Sequence, residues 1–444
     1  MKDVWIKDIK DKVGETVELF GWVNVRRDHG KIIFIDLRDR SGIAQLVFTP
    51  QNEELYKIAE TLRPEWVISV KGEVAKRPKG MENPEIETGK VEVKVSELKI
   101  LSEAKQPIPI QVAEKTESEP DLDTRMDWRW LDLRKSEKQL IFKVWTVMEQ
   151  AFRDFLIQNN FIEIHSPKLM SSPSESGAEL FEVKYFKKKA YLAQSPQFYK
   201  QMAMAAGFER VFEIGPVFRA NPSFTSRHDT EFTSYDLEMS FIDSHQDIIN
   251  LEQQLIVSML SSVKEKFGNE INKYYDRNLI IPEIPFPQVT LEEVKELLSG
   301  FKISGIEEGD LNPEEERKLC EVIKNKLNHE FVFVTDYPKE KRAFYHMRYK
   351  EKTGITKGFD LLWSGLEITT GAQREHRYEL LKKQAKEKGL SMKSFQYYLD
   401  FFKYGCPPHG GFGFGPSRFL MKILNVSNVR EVTYLYRGVK RLSP

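Results

Sequence analysis

Three stretches of the chain carry residue types that could do chemistry together. Residues 216–232, PVFRANPSFTSRHDTEF, set Arg219 at the end of a strand-like run, then a polar loop, then Arg227, His228 and Phe232. An arginine grips a phosphoryl group with two parallel donors, and an aromatic ring can cover a purine. The run EFTSYDLEMSF alternates: Phe232, Ser234, Asp236 and Glu238 face one way, Tyr235, Leu237, Met239 and Phe241 the other. That predicts an antiparallel hairpin with a long loop, whose open-face acids can bind an ammonium group or magnesium. GFDLLWSGLEITTGAQREHR puts Asp360 and Glu367 on successive strand-like segments ahead of Arg374. Two carboxylates beside a triphosphate suit a hard cation such as Mg2+. PPHGGFGFGPSRFLM is glycine-rich and then helical, with Arg418 one turn in, near the positive helix N-terminus. Neither common nucleotide fingerprint occurs: no Gly-x-x-x-x-Gly-Lys-Ser/Thr, and no Gly-x-Gly-x-x-Gly opening a βαβ unit. A phosphate grip of arginines on an antiparallel sheet remains, and the set asks for a nucleotide plus an amine. Singly, each residue has a plainer reading: Arg219 paired with Glu238, Phe232 in a core, His228 on the surface.

Those residues need elements to hold them. IFKVWTVMEQAFRDFLIQNNF has Ile141, Val144, Trp145, Met148, Phe152 and Phe155 at helical spacing, one apolar face. IEIHSPKLM reads as extended, and Pro167, lacking a backbone donor, suits a sheet edge or an interface. SSPSESGAELF reads as a polar loop over a site. AYLAQSPQFYKQMAMAAG passes from strand to helix, with Ser195 and Pro196 at the helix start. Residues 244–348 read as mainly helical and without chemistry, with FVFVTDYPKEKRAFYHMR as strand, loop, strand, and with His329 and His346 isolated. Before all this, ELFGWVNVRRDHGKIIFIDLRDRSGIAQLVF, WVISVKGEVA and VEVKVSEL are short strands within about a hundred residues, the pattern of a small barrel. On them Arg26, Arg27 and Lys31 stand near Phe34 and Gln45, cations beside a ring and an amide, which is what single-stranded RNA requires. The plainer alternative is a solvated strand edge with Phe34 in the core. SEAKQPIPIQVAEKTESEPDL, residues 102–122, is a proline-rich charged linker, with a second domain beginning near Asp123.

Composition bounds the rest. The 444 residues suffice for two or three domains. Formal net charge is zero although 30% of residues are charged, which excludes a bulk polycation but not a local nucleic-acid surface. Two cysteines, Cys320 and Cys406, make neither a disulfide scaffold nor a zinc cage, and free thiols in a reducing compartment are expected. MKDVWIKDIKDKVGE has no apolar run and reads as a mature N-terminus, and no stretch is long and apolar enough to span a membrane. A cytoplasmic protein is expected.

Taken together, the motifs resemble the class II aminoacyl-tRNA synthetases, in the aspartyl branch of the short archaeal and eukaryotic type. FIEIHSPKL resembles that family's first motif, FRANPSFTSRHDTEF its second and GFGFGPSRF its third; GWVNVRRDHGKIIFIDLRDRSG is similar to its anticodon-binding OB-fold, and QSPQFYKQ and GAQREHR are similar to the aspartyl branch. The resemblance spans essentially the whole chain. It implies an α+β protein: an N-terminal OB-fold β-barrel at residues 1–103, a linker at 104–122, and a class II catalytic domain at 123–444. That domain would be an antiparallel β-sheet flanked by helices, with a mainly helical insertion at about 244–330. It implies a homodimer with Pro167 at the interface. For ATP it implies Arg219 on the α-phosphate, Arg227 and His228 on the outer phosphates, Phe232 stacked on adenine, and Arg418 on the other face of the base and near the γ-phosphate. Glu367 and Thr370 would help hold Mg2+, with Asp360 close by. Lys200 and Arg374 would bind the side-chain carboxylate of aspartate, Asp236 its ammonium group; Ser195 and Gln197 would line its pocket, and Glu175 would belong to the loop that closes over it. Phe34 and Gln45 would meet the anticodon, with Arg26 near its backbone. His29 in RRDHG resembles the relaxed bacterial form of the loop, where leucine tends to mark strict enzymes. Three positions depart from the family: Asn221 stands where glutamate is common, Thr370 where serine is, and Ser417 where an acid is. The ending YLYRGVKRLSP also differs from the usual FPRD type.

The implied activity is formation of aspartyl-adenylate from ATP and L-aspartate and its transfer to tRNA-Asp, with tRNA-Asn open as a second acceptor. Alternatives are an asparaginyl enzyme, which usually lacks lysine in QFYKQ; a lysyl enzyme, whose site needs acids where these cations sit; an adenylate-forming amino-acid or amide synthetase that ignores tRNA; and a non-catalytic RNA-binding protein.

Overall fold

The computed structural model describes residues 2–113, 119–171, 179–222, 225–352 and 354–443. The chain divides into two compact units, residues 1–139 and 140–443.

In the first unit, β1 (Thr16–His29), β2 (Ile32–Asp39), β3 (Gly42–Phe48), β4 (Val67–Lys76) and β5 (Val91–Ser102) close into a barrel in the order β1-β2-β3-β5-β4. Alternation along β2 explains the closure: Ile33, Ile35 and Leu37 are buried in the barrel core with Val17, Leu46 and Val93, while Phe34 and Asp36 point outward. The sharp β1–β2 turn uses Gly30 at φ +62°, a left-handed conformation that glycine adopts without strain. A helix the strand pattern did not announce, α1 (Glu53–Thr61), joins β3 to β4, and the Asn52 side chain accepts from Leu55 N–H to start it. Glu65, almost fully buried, takes both Nη2 hydrogen bonds of Arg38 and one from Arg134. Two short helices follow, α2 (Leu122–Asp127) and α3 (Arg129–Asp132), and then α4 (Ser136–Gln158).

The second unit continues through β6 (Ile162–Glu163), β7 (Leu169–Met170), β8 (Glu182–Tyr185), β9 (Lys188–Leu192), α5 (Gln197–Ala205), β10 (Arg210–Phe218) and β11 (Glu231–Ser240). Next come α6 (His245–Tyr275), β12 (Gln288–Thr290), α7 (Leu291–Leu298), α8 (Pro313–Leu327), β13 (Phe331–Thr335), β14 (Gly358–Trp363) and β15 (Leu366–Arg374). The last elements are α9 (Tyr378–Glu387), α10 (Met392–Lys403), β16 (His409–Phe414), α11 (Pro416–Ile423) and α12 (Val429–Val432). Among the described residues, eight strands form one sheet in the order β12-β13-β14-β15-β16-β11-β10-β6. Its interior pairs are antiparallel, and only the outermost pairs, β12·β13 and β10·β6, are parallel.

Helices cover one sheet face because each presents an apolar stripe. Phe152 of α4 packs 4.7 Å from the Tyr235 ring and 6.3 Å from Phe414, and Tyr235 stacks on Phe414. The opposite face of β11, β16 and β15 is left for polar side chains. Helix starts obey capping chemistry: Ser244 with Asp247 for α6, Asn312 with Glu315 for α8.

Two sequence readings need correction. The stretch around Ala343–Arg348 is not a strand; it makes isolated bridges, His346 to Arg374 and Arg348 to Thr356, and Met347 N–H donates to Gln373 O of β15. Phe241 does not join the buried face of β11: it lies past the strand end at φ +59° and is 70% exposed. The glycine-rich run forms β16, a central strand. No helix among the described residues is long and apolar enough to cross a membrane, and Cys320 and Cys406 are both free.

Candidate active site

The polar sheet face forms a trough because β16 carries almost no side chains there. Register sets Gly413 between Asp236 of β11 and Thr370 of β15, and Gly411 between Glu238 and Ala372. A Cβ at Gly411 would strike the Leu237 carbonyl and the Glu238 carboxylate, so only glycine lets Glu238 stand beside bare backbone there. Over this floor opens a cavity of about 330 Å3.

At one end cations gather. Arg219 follows β10 and extends the hairpin, its N–H donating to Thr230 O at 2.9 Å. Its guanidinium stands 5.5 Å from the centroid of Phe232, on the same cavity wall. Arg418 enters from α11 and donates to the Glu367 backbone carbonyl at 3.1 Å and to its carboxylate at 3.3 Å. His228 also lines the cavity; burial, then Arg418, Arg227 and Arg219, push its ring down to about 4, so it is uncharged at neutral pH. Burial opposes ionisation of Glu367, but Arg418, Arg342 and the Thr370 hydroxyl outweigh it and hold its carboxyl below the usual range. Arg227 lines the same wall, with its Nη1 donating to Glu316 of α8 at 2.7 Å. Asn221, Thr370 and Ser417, the departures from the family pattern, line the cavity too.

The other end is a buried charge quartet. Lys200 Nζ of α5 donates to Asp236 Oδ1 at 2.9 Å and lies 3.5 Å from Glu238 Oε2. Arg374 Nε donates to Glu238 Oε1 at 3.0 Å, and its Nη2 to Gly411 O at 2.9 Å. Glu238 therefore pairs with Arg374 and Lys200, not with Arg219. Two cations facing two acids leave the quartet neutral. Arg374 and Asp236 reach the cavity, as do Ser195 and Gln197, whereas Lys200 is 1% exposed and sits beneath the lining. Gln197 is held from behind, donating to Gln201 Oε1 at 3.0 Å.

Asp360 is not in the cavity lining. It pairs across β14 and β15 with Thr370, but Arg342 donates to both of its oxygens. Burial raises its carboxyl despite Arg342. Among the described residues no group of three or more His, Cys, Asp or Glu side chains is gathered around a common point for a metal. Glu175 lies outside the described residues. Pro167 is exposed between β6, the edge strand, and β7, away from the cavity.

Behind the cavity floor, Glu252 of α6 is completely buried, accepts from Thr369 Oγ1 at 2.5 Å, and leaves Oε2 without a hydrogen-bond partner. Burial and then Asp360 raise it to about 8, against the one lowering contact, Thr369. The folded state thus keeps a proton that the unfolded chain loses above about pH 4.3. Stability from this group is full below that pH and is lost as pH rises towards 8, by at most about 1.4 kcal/mol per pH unit. Glu252→Gln cannot ionise. Urea unfolding from pH 5 to 8 is expected to show the variant gaining on the parent as pH rises; a constant gap would mean that Glu252 does not titrate in this window.

In the barrel unit, the strand pairings put Arg27, Phe34 and Val47 in one row and Asp36 and Gln45 in the next, all on the outer face. The His29 ring meets Phe34 edge-on at 6.1 Å. Phe34 is thus outside the core, contrary to the plainer reading. Gln45 is mostly buried and donates to Glu92 at 3.0 Å. Arg26 falls on the opposite side of β1 from this row, paired with Ile35 in register, and donates to Asp28 and to the Glu60 carbonyl.

Sequence reading missed Glu179, Tyr345 and His346 of the lining, and Glu316, Glu252 and Arg342 behind it. Most come from 244–348, read as chemically silent. RAFYHMR does hold a dense run of cations and rings, but its partners are distant in sequence. His346 is not isolated: its Nε2 lies 3.3 Å from Nη1 of Arg374.

Comparison with known proteins matches two family descriptions. Residues 121–437 match "tRNA synthetases class II (D, K and N)" and residues 17–101 match "OB-fold nucleic acid binding domain". The chain is 45% identical to the aspartate–tRNA(Asp/Asn) ligase of Methanopyrus kandleri over 100% of both chains. It is 42% identical to the aspartate–tRNA(Asp) ligase of Pyrococcus abyssi over 97% of each. Its fold matches the asparaginyl-tRNA synthetase of Pyrococcus horikoshii complexed with asparaginyl-adenylate, with a TM-score of 0.89, 31% identity and 99% of both chains covered.

Proposed function

Because the chain belongs to the class II aminoacyl-tRNA synthetases (D, K and N) and is of the aspartate–tRNA ligase type, we propose the following division of labour among its residues. The cation-rich end of the trough takes ATP. Arg219 grips the α-phosphate, Arg227 and His228 the outer phosphates, and Phe232 and Arg418 sandwich adenine. The quartet end takes L-aspartate. Arg374 and Lys200 face its side-chain carboxylate, Asp236 its ammonium group, and Ser195 and Gln197 its flanks, with Glu175 in the covering loop. The observation that carries this reading is the quartet. A guanidinium has five N–H groups, and the described contacts of Arg374 engage one on each nitrogen, leaving donors for a carboxylate.

The substrate carboxylate is already ionised, so attack on the α-phosphorus needs no general base. Alignment in the trough and stabilisation of charge on the α-phosphate by Arg219 do the work. Mg2+ fits this end as a partner of the phosphates. Glu367 and Thr370 offer hard oxygens 3.2 Å apart beside Arg418, and the ion would neutralise the departing pyrophosphate. Asp360, locked to Arg342, supports that pair from behind and is not itself a ligand.

The second step transfers the aminoacyl group to the tRNA terminal ribose. The barrel face of Phe34, His29 and Arg27 takes the anticodon through stacking and charge, with Gln45 contributing little reach because Glu92 holds it, and with Arg26 near the backbone. The exposed edge around Pro167, with Ile162 and Leu169 beside it, is the surface we assign to a homodimer. We assign the protein to the cytoplasm.

The deciding test is aminoacylation of tRNA-Asp and tRNA-Asn transcripts with labelled aspartate, with asparagine in parallel. Charging with aspartate and not asparagine is expected. The relatives named above include enzymes of both acceptor ranges; exposed His29 favours the relaxed range, so comparable charging of both tRNAs is the expected pattern. Activation of asparagine would overturn the quartet reading and favour the asparaginyl alternative that the P. horikoshii fold raises.

A further inference from the structure

We propose that His346 is a positioning residue for amino-acid recognition: its Nε2 accepts a hydrogen bond from Nη1 of Arg374 and so fixes the fork that receives the substrate carboxylate. This rests on the reading of Arg374 given above. Glu238 and Gly411 hold the Nε and Nη2 corners of the guanidinium at 3.0 and 2.9 Å, and His346, at 3.3 Å, holds the remaining corner. Guanidinium nitrogens only donate, so the ring must present a bare Nε2 and carry its proton on Nδ1. Burial, then Arg374, Arg342, Lys388 and Lys200, hold the ring unprotonated well below its ordinary range, consistent with that tautomer.

The backbone also sets the ring's height. His346 bridges Arg374, and Met347 N–H donates to Gln373 O at 3.0 Å. Gly358 makes room on the far side, where a Cβ would lie 3.0 Å from Nδ1. His346 is 4% exposed, lines the cavity, and leaves Nδ1 without a hydrogen-bond partner. A purely packing role would be met by an apolar side chain without stranding a buried polar atom. The stranded nitrogen is tolerated because the other one is used.

The test is ATP–pyrophosphate exchange at varied aspartate and varied ATP, for the parent and for H346L, H346Q, H346N and R374Q. Glutamine can carry its oxygen to the place of Nε2; asparagine is too short. H346L and H346N are expected to raise the KM for aspartate about tenfold, the size of one hydrogen bond to a charged group, with the KM for ATP unmoved, and H346Q to restore most of it. Equal aspartate KM values for the parent, H346L and H346N would overturn the proposal, as would a glutamine variant no better than asparagine. If H346L does not fold, the glutamine–asparagine contrast decides. R374Q separates the two readings. If it leaves the aspartate KM unchanged, the assignment of Arg374 fails; if it raises that KM while H346L does not, only the role of His346 fails.

Discussion

Arg219→Ala is expected to lower the rate of aspartyl-adenylate formation on the order of 10²- to 10³-fold, about 2.7 to 4 kcal/mol of barrier, like the loss of one well-placed oxyanion donor. The size follows from where Arg219 stands. It is exposed at the cavity mouth beyond β10, and its described ring contact is with Phe232. Its removal therefore strands no buried charge, and the melting temperature should hold. Ground-state binding should also hold, because Phe232, His228, Arg227 and Arg418 still line the ATP end. Single-turnover adenylate formation and ATP affinity, measured separately, check this. Lysine is expected to recover little, because a point charge does not grip two oxygens of the α-phosphate in one plane. A variant that loses ATP affinity but keeps its single-turnover rate would assign Arg219 to binding and not to the transition state.

The largest combined effect is expected at Lys200. Lys200→Met keeps length and apolar volume but removes a charge that is 1% exposed and set between Asp236 and Glu238. Breaking a buried ion pair from one side costs about 3–5 kcal/mol, because the remaining carboxylate stays desolvated and unpaired. Activity should fall further. The quartet becomes net negative, the wrong sign for a substrate carboxylate, and kcat/KM for aspartate should drop by more than about 10³-fold, on the scale of a site left with unmatched buried polar groups. Urea unfolding gives the first number and pyrophosphate exchange the second. Normal aspartate activation by a folded K200M protein would show that Arg374 alone reads the carboxylate.

The cation-rich end of the trough is legible in the sequence because Arg219, Arg227, His228 and Phe232 sit on one hairpin, and period-two alternation reports which side chains share its face. The same holds for Phe34, whose neighbours Ile33 and Ile35 alternate into the barrel core. Legibility stops where partners are brought together by sheet order. The β16 strand lies between β11 and β15, so Gly411 meets Glu238 and Arg374 across some 170 and 40 positions of chain; nothing local in GGFGFG distinguishes a central strand from a glycine loop. Asp360 is legible as a carboxylate near the site, but not its pairing with Arg342, 18 residues before it, which bonds both oxygens. His346 looks isolated until β15 passes beside it. Phe241 follows the alternation of β11 but falls just beyond the strand, where the backbone turns left-handed.

The bare middle strand also limits how this enzyme can be re-engineered. With backbone as the floor of the trough and no room for a Cβ at Gly411, new substrates cannot be read from below. Retuning must come from the walls and the charges behind them, and these are coupled: Lys200, Asp236, Glu238 and Arg374 balance one another, with His346 on the last of them. A one-step change of substrate charge passes through an unbalanced intermediate, so neighbouring amino-acid preferences are separated by a fitness valley that only paired substitutions cross.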